Sequence, residues 1–116
     1  MIRRSKLYFP IFEEILADNN MPESIKYLAI VESGLDPKIR SWAGAMGLWQ
    51  FMPVTGKAYG LEYDYYIDER LDPYKSTQAA CKYLKQLYNM FGDWELALGA
   101  YNCGPGNMRK LSLIHI

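Results

Sequence analysis

Apolar positions recur along this chain at helical spacing, in runs closed by glycine, proline or an Asx residue. Ile11, Ile15 and Leu16 give a first amphipathic helix over residues 10–19, with Asn20 able to close it. Pro22 suits the first turn of a second helix, whose face carries Ile25, Leu28, Ala29 and Glu32 at i, i+3, i+4 and i+7. Gly34 is its stop, and Asp36-Pro37 keeps the chain from resuming a helix at once. Pro53 opens a short helix that Gly60 ends. Asp72-Pro73 reads as an N-cap and first-turn proline, starting a long helix through Tyr83, Leu84, Leu87 and Tyr88 that stops at Gly92. Asp93 caps the next helix, residues 94–101, and Pro105 begins another. Residues 61–70, with Tyr63, Tyr65 and Tyr66, show no helical period and read as loop, with at most a short strand or hairpin. The predicted class is all-α or nearly so.

One position breaks the amphipathic rule. Glu32 puts a carboxyl group on the apolar face of its helix, at the last turn. An ionised carboxylate in such a setting is costly, so the group is paired, neutralised or functional. Spacing alone leaves a solvated or ion-paired glutamate as the competing reading. Two further segments carry unusual residues. In Ser41-Trp42-Ala43-Gly44-Ala45-Met46-Gly47-Leu48-Trp49-Gln50-Phe51-Met52-Pro53, glycines allow close backbone approach and polar Ser41 and Gln50 lie among apolar neighbours. In Ala100-Tyr101-Asn102-Cys103-Gly104-Pro105-Gly106, an apolar run ends in a Tyr-Asn pair and a turn. Each segment also has a plain structural explanation: turns, backbone capping, core.

Taken together, Glu32-Ser33, the segment from Gly47 to Pro53 and the segment from Ala100 to Gly106 resemble the soluble lytic transglycosylase family in order and spacing. Asp68-Glu69-Arg70-Leu71-Asp72-Pro73 and Phe91-Gly92-Asp93-Trp94 look most like its membrane-bound D-type branch. The resemblance covers residues 8–110. It implies a lysozyme-like catalytic domain that cleaves the β-1,4 bond between MurNAc and GlcNAc in peptidoglycan without water, leaving 1,6-anhydro-MurNAc ends. Glu32 would be the catalytic residue. Ser33 and Ser41 would hydrogen-bond the substrate or orient the acid, Gln50, Met52 and Asn102 would line the groove, and Tyr101 would help to hold the intermediate or Glu32. The resemblance also implies glycan strands as the partner, the cell envelope (the periplasm) as the location, and LysM modules elsewhere in a full-length protein. The expected state is a monomer, with no cofactor and no metal.

The chemistry asked of Glu32 is coherent. A departing glycosidic oxygen needs a proton. A free glutamate titrates near ~4.3, and apolar burial can lift that to about 6–7, the logic of the lysozyme acid. A standard glycosidase needs a second carboxylate, and none stands out. Asp68, Glu69 and Arg70 form a tempting cluster, but Asp72 reads as a helix cap and Arg70 as the partner of a neighbouring acid. A goose-type lysozyme would share the architecture and hydrolyse the same bond. A catalytically silent peptidoglycan-binding module would keep the aromatics and lose the acid, and a purely structural helical domain would need none of these residues.

At 116 residues the chain is one domain's worth, half hydrophobic and 15% aromatic, enough for a core. Zero net charge with scattered Lys and Arg gives no electrostatic footprint for nucleic acid. The ten tyrosines and three tryptophans suit a surface that meets flat sugar faces, although most belong in a core. No apolar run is long enough to span a bilayer. The basic start, interrupted by Pro10 and then Glu13 and Glu14, does not make a signal peptide, so an export signal is expected to lie outside this sequence. The catalytic domain is expected to be residues 1–110, with residues 111–116 a non-native tail that resembles a translated transposase end sequence. That leaves His115 without a role. Cys81 and Cys103 sit at similar distances from the turn at Gly92-Asp93, so a disulfide and two small buried thiols are both open.

Overall fold

The computed structural model describes residues 2–41 and 44–103, and of Ile2 and Cys103 the backbone only. Among the described residues five helices carry the fold: α1 (Ile2–Asp18), α2 (Lys26–Ser33), α3 (Pro53–Ala58), α4 (Pro73–Phe91) and α5 (Trp94–Cys103). Single 3-10 turns precede α2 (Glu23–Ile25) and α4 (Glu69–Leu71). Extended pairing among the described residues is confined to isolated bridges, one of them between Tyr63 and Asp68. The all-α expectation therefore holds, and the hairpin allowed within residues 61–70 is this single bridge. Two compact units divide the chain, Met1–Cys81 and Lys82–Ile116, and the division falls inside α4.

The first helix corrects the reading from sequence. It begins at Ile2, not at Pro10, and Pro10 lies within it. An interior proline removes a hydrogen bond and clashes with the preceding turn, at a cost of about 3 kcal/mol. Here the apolar stripe starts before the proline: Tyr8, Phe12, Ile15 and Leu16 are all buried, and the rings of Tyr8 and Phe12 stack at 6.2 Å. Burial of that stripe offsets the local penalty. Phe12 is 0% exposed and lies 5.1 Å from the ring of Trp49, itself buried with its indole N–H donated to Thr77 Oγ1 at 2.9 Å. Phe12→Ala is expected to cost about 3–5 kcal/mol, read as a lower urea midpoint with an unchanged slope.

Lys26, at the start of α2, fixes that helix to α1. Its ammonium meets Glu13 at 2.7 Å and Glu23 at 3.0 Å, and stands over the rings of Phe9 (5.1 Å) and Tyr27 (5.4 Å). The hydrogen bond to Glu13, then that to Glu23, pushes its pKa upward, so the charge is permanent in any physiological medium. Helix ends elsewhere follow the sequence signals. Asp72 Oδ1 accepts the N–H groups of Tyr74 and Lys75, and Gly60 and Gly92 adopt positive φ where α3 and α4 finish. In the second unit, ring pairs Tyr83–Tyr101 (5.2 Å) and Tyr88–Trp94 (4.4 Å) run inward to the turn, which makes the C-terminal part of α4 and α5 an antiparallel hairpin around Leu87, Ala97 and Ala100. Cys81 is buried. The side chain of Cys103, Pro105 and residues 111–116 lie outside the described residues, and with them the disulfide, the helix expected at Pro105 and the tail.

Candidate active site

The site is organised by the end of α2. Ile25, Leu28 and Ala29 are buried as their spacing required, while Tyr27 and Val31 face solvent. Glu32 falls on the border between these faces, half-buried. Gly34 then ends the helix in the left-handed region (φ 63°), its N–H returning to Ile30 O at 2.9 Å. Leu35 follows at φ 63° with its side chain wholly buried, an uncommon conformation for leucine that its core contacts maintain. The carboxylate thus sits at the point where the helix stops and the chain turns away.

One oxygen of its carboxyl is kept from water without compensation. Glu32 Oε1 is buried and accepts no hydrogen bond among the described residues. Desolvation pushes the Glu32 pKa above the ordinary carboxylate value, because burial disfavours the charged form. Its position in the last turn, near the negative end of the helix dipole, acts in the same direction. The other acids of the tempting cluster are engaged elsewhere. Asp68 holds Arg70 at 2.7 Å, and Glu69 is bound by Lys75 and by the N–H of Glu62. The structural reading of that cluster fits these contacts.

A ladder of hydrogen bonds joins the end of α2 to the glycine-containing loop. Asp36 N–H reaches Ser33 O, Ile39 N–H reaches Asp36 O, and Ile39 O accepts both Gly47 N–H (3.0 Å) and the Gln50 amide (3.1 Å). Gln50 also donates to Gly47 O at 2.9 Å, and its own backbone is left-handed (φ 52°). That unfavourable conformation is held by the two side-chain bonds. Ser41 closes the same loop: its hydroxyl accepts Ala45 N–H at 3.0 Å, and its N–H donates to Ala45 O at 2.8 Å. Ser33 is buried; it donates to Ala29 O and accepts Leu35 N–H, so in this structure it secures the helix end beside the acid. Met52 stands exposed at the N-cap of α3. The structure therefore ties Gln50 to the end of Glu32's helix through Ile39 and Asp36, while Ser33 and Ser41 close local turns at the helix end and in the loop. Tyr101, half-buried against Tyr83, and Asn102, exposed on α5, belong to the second unit.

Arg70 is the residue whose reach was not visible in the sequence. It is 3% exposed, and beyond its pair with Asp68 it donates to Gly44 O (2.9 Å) and Phe51 O (3.0 Å), two carbonyls on either side of the loop. The Asp-Glu-Arg motif signalled a local ion pair. It carried no signal for contacts across 19 and 26 residues.

A profile of the Transglycosylase SLT domain family matches residues 9–113. Among curated proteins, the chain is 46% identical over 92 residues to the membrane-bound lytic murein transglycosylase D of Escherichia coli K12, covering 78% of this chain and 20% of that protein. It is 32% identical over 108 residues to the soluble lytic murein transglycosylase of the same strain, covering 88% of this chain and 17% of the relative. The chain thus spans about a fifth of the length of these relatives. The crystal structure of the 70 kDa soluble lytic transglycosylase of E. coli superposes with a TM-score of 0.75 at 30% identity, over 89% of this chain and 18% of the other. An inactive glutamate-to-glutamine mutant of the Pseudomonas aeruginosa lytic transglycosylase Slt superposes with a TM-score of 0.72 at 26% identity, over 86% and 17%.

Proposed function

This chain belongs to the Transglycosylase SLT domain family, and from that premise we propose that it is the catalytic domain of a peptidoglycan lytic transglycosylase with Glu32 as its acid and base. The observation that carries the reading is the buried, unpartnered Oε1 of Glu32 at the end of α2. A carboxyl group so placed keeps its proton to a higher pH, and its Oε1 meets no partner among the described residues.

The reaction has two proton transfers and one acid. Glu32 gives its proton to the oxygen that leaves with GlcNAc as the glycosidic bond breaks. The acetamido carbonyl of MurNAc supports the cationic anomeric carbon. Glu32, now a carboxylate, takes the proton of the MurNAc C6 hydroxyl, whose oxygen closes the 1,6-anhydro ring. The proton lost is regained and no water is consumed. Ser33 and Gln50 act here by holding the helix end and loop in register with the acid. Ser41 and Met52 are assigned to the wall that meets the sugars, with glycan strands of the bacterial envelope as substrate and the periplasm as the location. The domain works as a monomer without cofactor or metal.

Mass spectrometry of the fragments released from purified sacculi tests the assignment. Products carrying anhydro ends are expected; products heavier by one water would mean hydrolysis, and absence of release would refute catalysis. The pH profile tests the acid. Because the pKa of Glu32 is raised, its protonated form persists above the usual carboxylate range and disappears as the pH climbs through the raised value. The limb of kcat/KM that falls with rising pH should therefore lie above that range. A profile still climbing well past neutral pH would exclude Glu32 as the donor.

A further inference from the structure

We propose that the turn at residues 63–67 is a second, non-catalytic sugar-stacking site, which grips the glycan strand at a distance from the bond being cut. The proposal rests on the reading of the domain as a glycan-cleaving enzyme, and deepens it by adding a place where the polymer is held.

The turn is built to display two rings. Tyr65 and Tyr66 are 93% and 89% exposed, so neither contributes appreciably to the core. Yet the backbone beneath them is braced at every level. Asp64 Oδ1 accepts the N–H groups of Tyr66 and Ile67, both at 2.8 Å, and Asp64 N–H reaches Ile67 O at 2.7 Å. Tyr63 bridges to Asp68, and Glu62 and Glu69 exchange two further hydrogen bonds below it. Tyr63 lies with its ring 4.9 Å from the guanidinium carbon of the buried Arg70, which anchors the base of the turn to the fold. The two exposed rings stand 5.1 Å apart, edge to face at 81°. Aromatic side chains have few rotatable bonds, lose little entropy on binding and are the usual anchors of recognition surfaces.

The occupant follows from what surrounds the rings. A cavity of about 360 Å³ opens at the base of the turn, lined by Lys57, Gly60, Leu61, Glu62, Tyr63 and Asp64. Its two carboxylates against one ammonium leave it net acidic, which opposes phosphates of lipid or nucleic acid. A β-1,4-linked chain of N-acetyl sugars suits it: neutral, with apolar pyranose faces for Tyr65 and Tyr66 and hydroxyl donors for Glu62 and Asp64.

The test uses the full chain carrying Glu32→Gln, so that ligand is not consumed, and measures binding of chitohexaose by calorimetry. Tyr65→Ala/Tyr66→Ala in that background is expected to weaken binding by about tenfold or more, whereas Tyr65→Phe/Tyr66→Phe keeps it within about threefold because the ring faces remain. Unchanged affinity in the double alanine variant overturns the proposal, as does a parent protein that does not bind the oligomer. It is equally overturned if the alanine variant abolishes a dimer in sedimentation, or abolishes binding to phosphatidylglycerol vesicles, since the rings then serve another copy or a membrane. Failure of the catalytic reading shows separately, as the absence of anhydro products from protein with Glu32 intact.

Discussion

Glu32→Gln is expected to remove turnover of peptidoglycan while leaving the fold as it is. General acid–base catalysis by one positioned group is worth about 10²–10⁴ in rate, and this carboxyl is asked to serve twice, first giving a proton and then taking one. The loss should therefore lie at or beyond the upper end of that range. Glutamine keeps the shape and one carbonyl oxygen, so far-ultraviolet circular dichroism and sedimentation behaviour should not change. Turbidity of a sacculus suspension should stay constant with the variant and fall with the parent. A variant that clears the suspension at a tenth of the parental rate would remove Glu32 from the mechanism.

The same substitution has a consequence for stability, opposite in sign to the loss of activity. The folded-state pKa of Glu32 lies above its unfolded value. Its favourable contribution is complete below the unfolded pKa and is lost as pH rises through the folded one, because the buried site resists the charge that the unfolded chain accepts freely. At neutral pH, Glu32→Gln should then be at least as stable as the parent, with the gap closing toward acid pH. Denaturant midpoints at pH 7 and pH 4 measure it. A half-buried acid retained at the expense of stability is the pattern expected of a catalytic group, in line with the role proposed for Glu32.

Much of this arrangement is legible in the sequence. Glu32 announced itself by sitting in a stripe with Ile25, Leu28 and Ala29, and Gly34, Gly60, Asp72 and Gly92 marked helix ends through requirements each meets locally. Local rules failed where burial at longer range decided the outcome. Pro10 reads as a helix start because its ring suits a first turn, and only the burial of Tyr8 together with Phe12 carries the helix back to Ile2. Ser33, Ser41 and Gln50 were legible as polar residues in an apolar context. The bonds of Ser33 to Ala29 and of Ser41 to Ala45 are local, whereas the reach of Gln50 to Ile39 O depends on how the loop folds back, which no spacing encodes. Arg70 is the clearest case. Its pair with Asp68 is two residues away, and its bonds to Gly44 and Phe51 become possible only once the loop has closed over it.

That closure also ranks the two glycines of the loop, and the ranking is sharp enough to test. Both have positive φ, 98° at Gly44 and 87° at Gly47, so alanine at either is strained by about 1–3 kcal/mol. They differ in what a side chain would meet. At Gly44 a Cβ finds nothing within 4 Å. At Gly47 it would drive into the carbonyl oxygen of Arg70, with the carbonyl carbon at 3.0 Å, and backbone cannot swing aside as a flexible side chain would. Overpacking adds about 1–3 kcal/mol, occasionally more, so Gly47→Ala should cost roughly 2–6 kcal/mol. Against a total stability of about 5–15 kcal/mol, toward the lower end for so small a chain, that approaches loss of the fold. Any Gly47→Ala protein that remains folded should be impaired in turnover as well, since displacing Arg70 frees Phe51 O and Gly44 O and loosens the loop that Gln50 ties to Ile39. Gly44→Ala should keep most of its activity. Equal melting temperatures for the two variants would show that the loop does not rest against Arg70, and with it would go the account of how the site is held together.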